Sequence, residues 1–130
     1  MRLYFAHCKN DYGSPIEAKA LKWFSDKGWL DHLINPADPK HQNTCVKNSM
    51  DYWKGLVNKC VAIYFLRYKG QITSGVGQEI EEMFGGGGII EMVPACDGFD
   101  LVTWNTVPPY LDYEATKRLM YPDRYQKVTS

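Results

Sequence analysis

The segment that most constrains this chain is Ser74-Gly-Val-Gly-Gln-Glu79. It follows an apolar run, Val61-Ala-Ile-Tyr-Phe-Leu66, and leads into Gln78-Glu-Ile-Glu-Glu-Met-Phe84, whose apolar spacing is that of an amphipathic helix. The order reads as strand, glycine-rich turn, helix. Glycine lets a backbone approach a ligand closely, and the free N–H groups of a helix N-terminus attract anions. Glu79 falls in the first turn of that expected helix. An anion cradle beside a carboxylate points to chemistry on a phosphorylated or sugar-like substrate.

The rest of the chain repeats the alternation. Leu3 to Ala6 is a short apolar run that ends in a polar stretch, His7 to Ser14, as a buried strand feeding a loop would. Ser14, Pro15 and Glu17 are the N-cap, N1 and N3 signals of a helix running to about Lys27, where Gly28 stops it. Leu33-Ile34 is a second strand, closed by Asn35-Pro-Ala-Asp-Pro39. His41 to Ser49 reads as a polar loop and Met50 to Lys59 as a helix. Gly85 to Gly88 follows a helix and reads as its C-cap and turn. Ile89 to Val93 is a fourth strand, Pro94 to Gly98 a loop, Leu101 to Trp104 a fifth strand, and Tyr110 to Tyr121 a last helix. Strands alternating with helices predict an α/β fold, a flavodoxin-like or Rossmann-like sandwich with a parallel sheet of about five strands. Residues 1–121 form one domain in this reading, with 122–130 a polar, loosely held tail. Ligands of such sheets bind at the carboxyl ends of the strands, which places the loops after Ala6, Ile34, Leu66 and Val93 around one pocket.

Composition narrows the function classes. Hydrophobic residues make up 45% of the 130, too many for a disordered chain. Lys+Arg and Asp+Glu balance at 15 each, so the basic excess of a duplex nucleic-acid binder is missing. No apolar run is long enough for a membrane span, and Met1 to Ala6 is too short for a signal-peptide core. Cys8, Cys45, Cys60 and Cys96 form no C-x-x-C pair and read as free thiols of a cytoplasmic protein, Cys60 as a buried one. His41 and Cys45 have i, i+4 spacing, but no compact four-ligand pattern exists, so neither a metal nor a cofactor is expected.

Tyr4 in Leu-Tyr-Phe-Ala, Asp51 at a helix start and Gly75-Val-Gly-Gln-Glu79 after the central strand together resemble the nucleoside 2-deoxyribosyltransferase superfamily, which includes the nucleoside 5'-monophosphate N-glycosidases. The likeness runs from the first strand to about Val93. It implies that Glu79 is a covalent nucleophile attacking C1' of the sugar, that Asp51 donates or relays a proton to the departing base, and that Tyr4 orients Glu79. Resolution of the glycosyl ester by water would give hydrolysis, and by a second base, transfer. The transferases carry an acidic residue six before the nucleophile; this chain has Thr73, then Ser74. A carboxylate would repel a phosphate, whereas the two hydroxyls and the N–H groups of Gly75, Val76 and Gly77 would bind one. A nucleotide is therefore the expected small-molecule partner rather than a nucleoside. The resemblance also implies a homodimer or dimer of dimers. Where relatives commonly have glycine in the first loop, His7 and Cys8 stand here; His7 contacts phosphate or base, or fills the pocket.

Plainer readings stand beside these. Glu79 alone would suit a helix dipole, Asp51 an N-cap, Tyr4 a core aromatic, and Thr73 and Ser74 helix caps. Asn35 lines a base pocket or shapes its turn. Trp23, Trp53, Tyr64 and Phe65 fall at core periods and read as packing. A non-catalytic nucleotide-binding or sequestering protein using the same pocket is the alternative, and a structural module with a degenerate site a third reading.

Overall fold

The computed structural model describes residues 1–42 and 50–125. Five strands, β1 (Leu3–Ala6), β2 (Leu33–Ile34), β3 (Ala62–Phe65), β4 (Gly88–Ala95) and β5 (Gly98–Trp104), form one sheet in the order β2-β1-β3-β4-β5. Six helices accompany them among the described residues: α1 (Pro15–Asp26), α2 (Pro39–Gln42), α3 (Met50–Val57), α4 (Ser74–Met83), α5 (Tyr113–Met120) and α6 (Pro122–Tyr125). The expected α/β, flavodoxin-like architecture is what the chain adopts, and its switch point lies between β1 and β3.

Two-residue periodicity splits the central strands between two cores. Leu3 and Phe5 of β1, with Ala62 and Tyr64 of β3, face Ala20 and Phe24 of α1. Tyr4 and Ala6, with Ile63 and Phe65, face Val57 of α3 and Val76, Ile80 and Met83 of α4. Both strands are buried on both faces, which is why they read as unbroken apolar runs. The start of α1 follows its sequence signals. Ser14 Oγ accepts from the Glu17 N–H at 3.3 Å, and Pro15 is the first helical residue. The turn after α4 also follows them: Gly85 has a left-handed φ of 87°, and a Cβ on Gly87 would run into the Val61 carbonyl.

Four expectations need correction. The sheet is not wholly parallel: β5 runs antiparallel to β4, from Ile89↔Trp104 to Ala95↔Gly98. Only Cys96 and Asp97 separate the two strands, too short a link for a crossover. Pro94 and Ala95 therefore belong to β4 instead of a loop. β3 ends opposite Glu91, so β4 has one neighbour at Pro94 and a missing N–H is tolerated there. Third, α4 begins at Ser74, not near Gln78, so the glycines lie inside its first turns. Fourth, part of the supposed tail, Pro122–Tyr125, is a short helix, while 126–130 lie outside the described residues. The supposed loop from His41 to Ser49 opens with the end of α2; its remainder, Cys45 included, lies outside the described residues. Cys8 and Cys60 are buried free thiols and Cys96 an exposed one. Among the described residues, no helix is long and apolar enough to cross a membrane.

Candidate active site

A cavity of about 190 Å³ opens at the carboxyl end of the parallel strands. The loop after β1 lines it with His7, Cys8, Lys9 and Tyr12. Pro36 and Gln42 come from the segment after β2, and Met50 and Trp53 from α3. Thr73, Gly75, Val76 and Glu79 form the wall made by α4. Thr116 and Met120 of α5 close it. The loop after β4, expected at the pocket, contributes nothing, because β4 runs on into its hairpin; α5 takes that place.

Tyr4 and Glu79 meet at the floor. Strand alternation points Tyr4 toward α4, and Glu79 lies one helical turn from Val76 and Met83 on the sheet-facing side of that helix. The Tyr4 hydroxyl donates to Glu79 Oε2. Tyr4 is fully buried and Glu79 only 7% exposed. Burial pushes the Glu79 carboxyl up to about 8, and the Tyr4 hydrogen bond offsets only part of that. Burial and the neighbouring Glu79 also hold the Tyr4 hydroxyl well above its ordinary value. No acidic residue lies in the first turn of α4, so Glu79, in the second, is not a dipole-capping acid. A buried carboxyl facing a cavity, its proton affinity raised by burial and its oxygen held by one buried phenol, marks a candidate functional group.

The other expected residues divide. Thr73 and Ser74 are buried at the N-terminus of α4, with Thr73 as N-cap making no side-chain bond to its own helix. Gly75 and Val76 line the cavity; by helix geometry their N–H groups are orphan donors, since Gly77 N–H is the first to bond back, to Thr73 O at 2.8 Å. Ser74 does not line it: its hydroxyl accepts from Gln78 Nε2 at 3.1 Å. Gly77 serves packing. The Tyr110 ring lies against it so closely that a Cβ there would fall inside the ring. Asp51 is exposed in the first turn of α3 and is not part of the cavity wall, which takes its neighbours Met50 and Trp53. Asn35 shapes its turn, accepting from the Ala37 N–H at 3.0 Å, and Pro36 faces the cavity in its stead.

His7 neither fills the cavity nor reaches into it as a free ligand. Its ring stacks on Phe5 at 4.1 Å between centroids. Its Nε2 lies 2.6 Å from Glu17 Oε2 and its Nδ1 3.2 Å from the Phe5 carbonyl. Burial lowers the imidazole pKa, and Glu17 works against that shift. Glu17, at N3 of α1, also accepts from the Gly13 N–H at 3.1 Å with its other oxygen.

Sequence reasoning missed Lys9, Tyr12, Gln42, Thr116 and Met120, and took Trp53 for packing alone. Among the described residues, no group of three or more His, Cys, Asp or Glu is arranged to hold a metal ion. No family model, curated protein or solved structure matches this chain.

Proposed function

We propose that this protein cleaves the N-glycosidic bond of a nucleoside 5'-monophosphate, ribo or deoxyribo, with Glu79 as covalent nucleophile. The observation that carries the reading is the buried Glu79 carboxyl, held by Tyr4, at the floor of a cavity beside the N-terminus of α4. Ionised Glu79 attacks C1'; the C1'–N bond breaks, its electron pair leaves with the base, and the base takes up a proton from solvent. Water then attacks C1' of the ester and loses a proton to solvent, freeing pentose 5-phosphate and the carboxylate. A second base attacking instead gives transfer. Tyr4 fixes the attacking oxygen, and Tyr12, Trp53 and Met50 offer apolar surface to the base.

The test is a mass-spectrometric screen against the nucleoside 5'-monophosphates and the parent nucleosides, with Glu79→Ala beside the wild type. Base released from monophosphates, and only by the wild type, is the expected result. Preferential release from nucleosides overturns the phosphate assignment. One observation favours the second reading, a nucleotide-binding protein without turnover: Asp51 stands outside the cavity wall. Nucleotide retained through purification with no base released would select it.

Two predictions follow from the same geometry. Asp51→Asn is expected to leave kcat within about tenfold of the wild type, because a positioned general acid contributes roughly 10²–10⁴-fold and Asp51 does not line the cavity. A fall beyond a hundredfold would return Asp51 to the reaction. The nucleophile must be ionised, and its carboxyl titrates at about 8, so kcat/KM is expected to climb with pH and level off above that value. A profile already flat from about pH 5 would mean that burial does not hold the Glu79 carboxyl neutral.

A further inference from the structure

Helix α5 is built into the site. Asp112 caps α5, its Oδ1 accepting from the Ala115 N–H at 2.7 Å. At the other end, Asn10 Nδ2 donates to the Met120 carbonyl at 2.9 Å and Lys69 Nζ to the Leu119 carbonyl at 3.5 Å. Upstream, the Leu111 N–H donates to the Ile72 carbonyl at 2.9 Å, and Tyr110 covers Gly77. These contacts hold Thr116 against the start of α4, where Thr116 Oγ1 accepts the Ser74 N–H at 2.8 Å.

A threonine hydroxyl has two lone pairs and one proton. Ser74 takes a lone pair of Thr116, and no partner takes the proton among the described residues. Thr116 is only 7% exposed and lines the cavity. Thr73 is 5% exposed, lines the same cavity, and its hydroxyl makes no hydrogen bond among the described residues. Two buried hydroxyl protons thus lie beside the orphan amides of Gly75 and Val76, and Lys9 brings the cation of the cavity wall. Among the described residues, the charged or titratable groups lining the cavity besides Lys9 are Glu79, His7, Tyr12 and Cys8. Burial favours the neutral form of Glu79, and that form does not repel an anion.

We propose that Thr116 binds the phosphate of the substrate together with Thr73 and the first-turn amides of α4, so that α5 completes the site. The assignment of that phosphate to a nucleotide rests on the function proposed above; the binding of a pentose phosphate does not.

The experiment is calorimetric titration of ribose 5-phosphate and of ribose into wild type, Thr116→Val and Thr116→Ser, with KM and kcat measured on whichever monophosphate is turned over. Loss of a hydrogen bond to a charged group is expected to weaken ribose 5-phosphate roughly 10–100-fold in Thr116→Val. Thr116→Ser restores binding, and KM rises in Thr116→Val with kcat little changed. Thr116→Cys, of similar size with only a weak S–H donor, replaces the valine variant should that one not fold. Wild type that fails to bind ribose 5-phosphate, or a valine or cysteine variant that binds it as wild type does, overturns the proposal. So does a variant whose KM for a parent nucleoside rises as much as that for the monophosphate. Thr116-dependent binding without base release from any nucleotide would sink the glycosidase reading and leave this one standing.

Discussion

Replacing Glu79 by glutamine is expected to abolish turnover while making the protein more resistant to unfolding in alkali. The amide cannot form the glycosyl ester, so kcat should fall by about 10³-fold or more. The stability change comes from linkage. The folded-state carboxyl titrates at about 8 against an ordinary value of 4.5, so the native state holds the extra proton in that interval. Stability from this group is complete at low pH and is lost as pH rises toward 8. Above that, the wild type carries a buried charge that costs on the order of 2–5 kcal/mol. The glutamine variant has nothing to ionise there. Urea unfolding at about pH 5 and about pH 9 should therefore show the variant gaining on the wild type at the higher pH. Parallel loss of stability in both proteins would mean that the carboxyl is not held neutral by burial.

Gly77→Ala should damage stability and substrate binding together. The new Cβ lands inside the Tyr110 ring, near the ring's attachment to the backbone, so the segment carrying Tyr110 has to retreat. Overpacking of this kind costs roughly 1–3 kcal/mol. The retreat also loosens the Tyr110 hydroxyl from Glu81 and the Leu111 N–H from Ile72. Because α5 follows directly, Thr116 should leave the start of α4 with it. The expected result is a lower urea midpoint together with a raised KM for the monophosphate. Gly75→Ala is the control for the urea midpoint alone, since its amide belongs to the proposed phosphate site: its Cβ would meet nothing within 4 Å. Equal midpoint shifts at the two positions would show that backbone freedom, rather than the Tyr110 contact, is what Gly77 provides.

The difference between those glycines marks where sequence reasoning stopped. Elements with local signatures were legible: β1 and β3 as apolar runs, and α1 from Ser14, Pro15 and Glu17. The pairing of Tyr4 with Glu79 was expected from the family resemblance alone; the strand's and the helix's periods, with β1 and α4 sharing a face, are why the two side chains meet. The start of α4 was misplaced because glycine's poor intrinsic helicity suggested a turn, and packing against Tyr110 and Val76's burial prevail over it. The direction of β5 turned on a connection only two residues long, hidden behind a proline that looked like a strand terminator. Thr116 left no local trace. Its partner Ser74 is 42 residues away, and a helix seen alone gives no sign of which wall it completes.

The β4–β5 hairpin has a practical consequence. No residue of either strand or of the turn between them lines the cavity, so the hairpin is a region where chain can be added without crossing the substrate's path. Its tip, Cys96–Asp97, is exposed, and Cys96 is the one exposed thiol among the described residues. Lys19 Nζ grips the Ala95 carbonyl at 2.6 Å, anchoring the tip to α1. A fluorophore coupled there would ride on a fixed mount at the far edge of the sheet, and a fused domain inserted there would leave the mouth of the cavity clear.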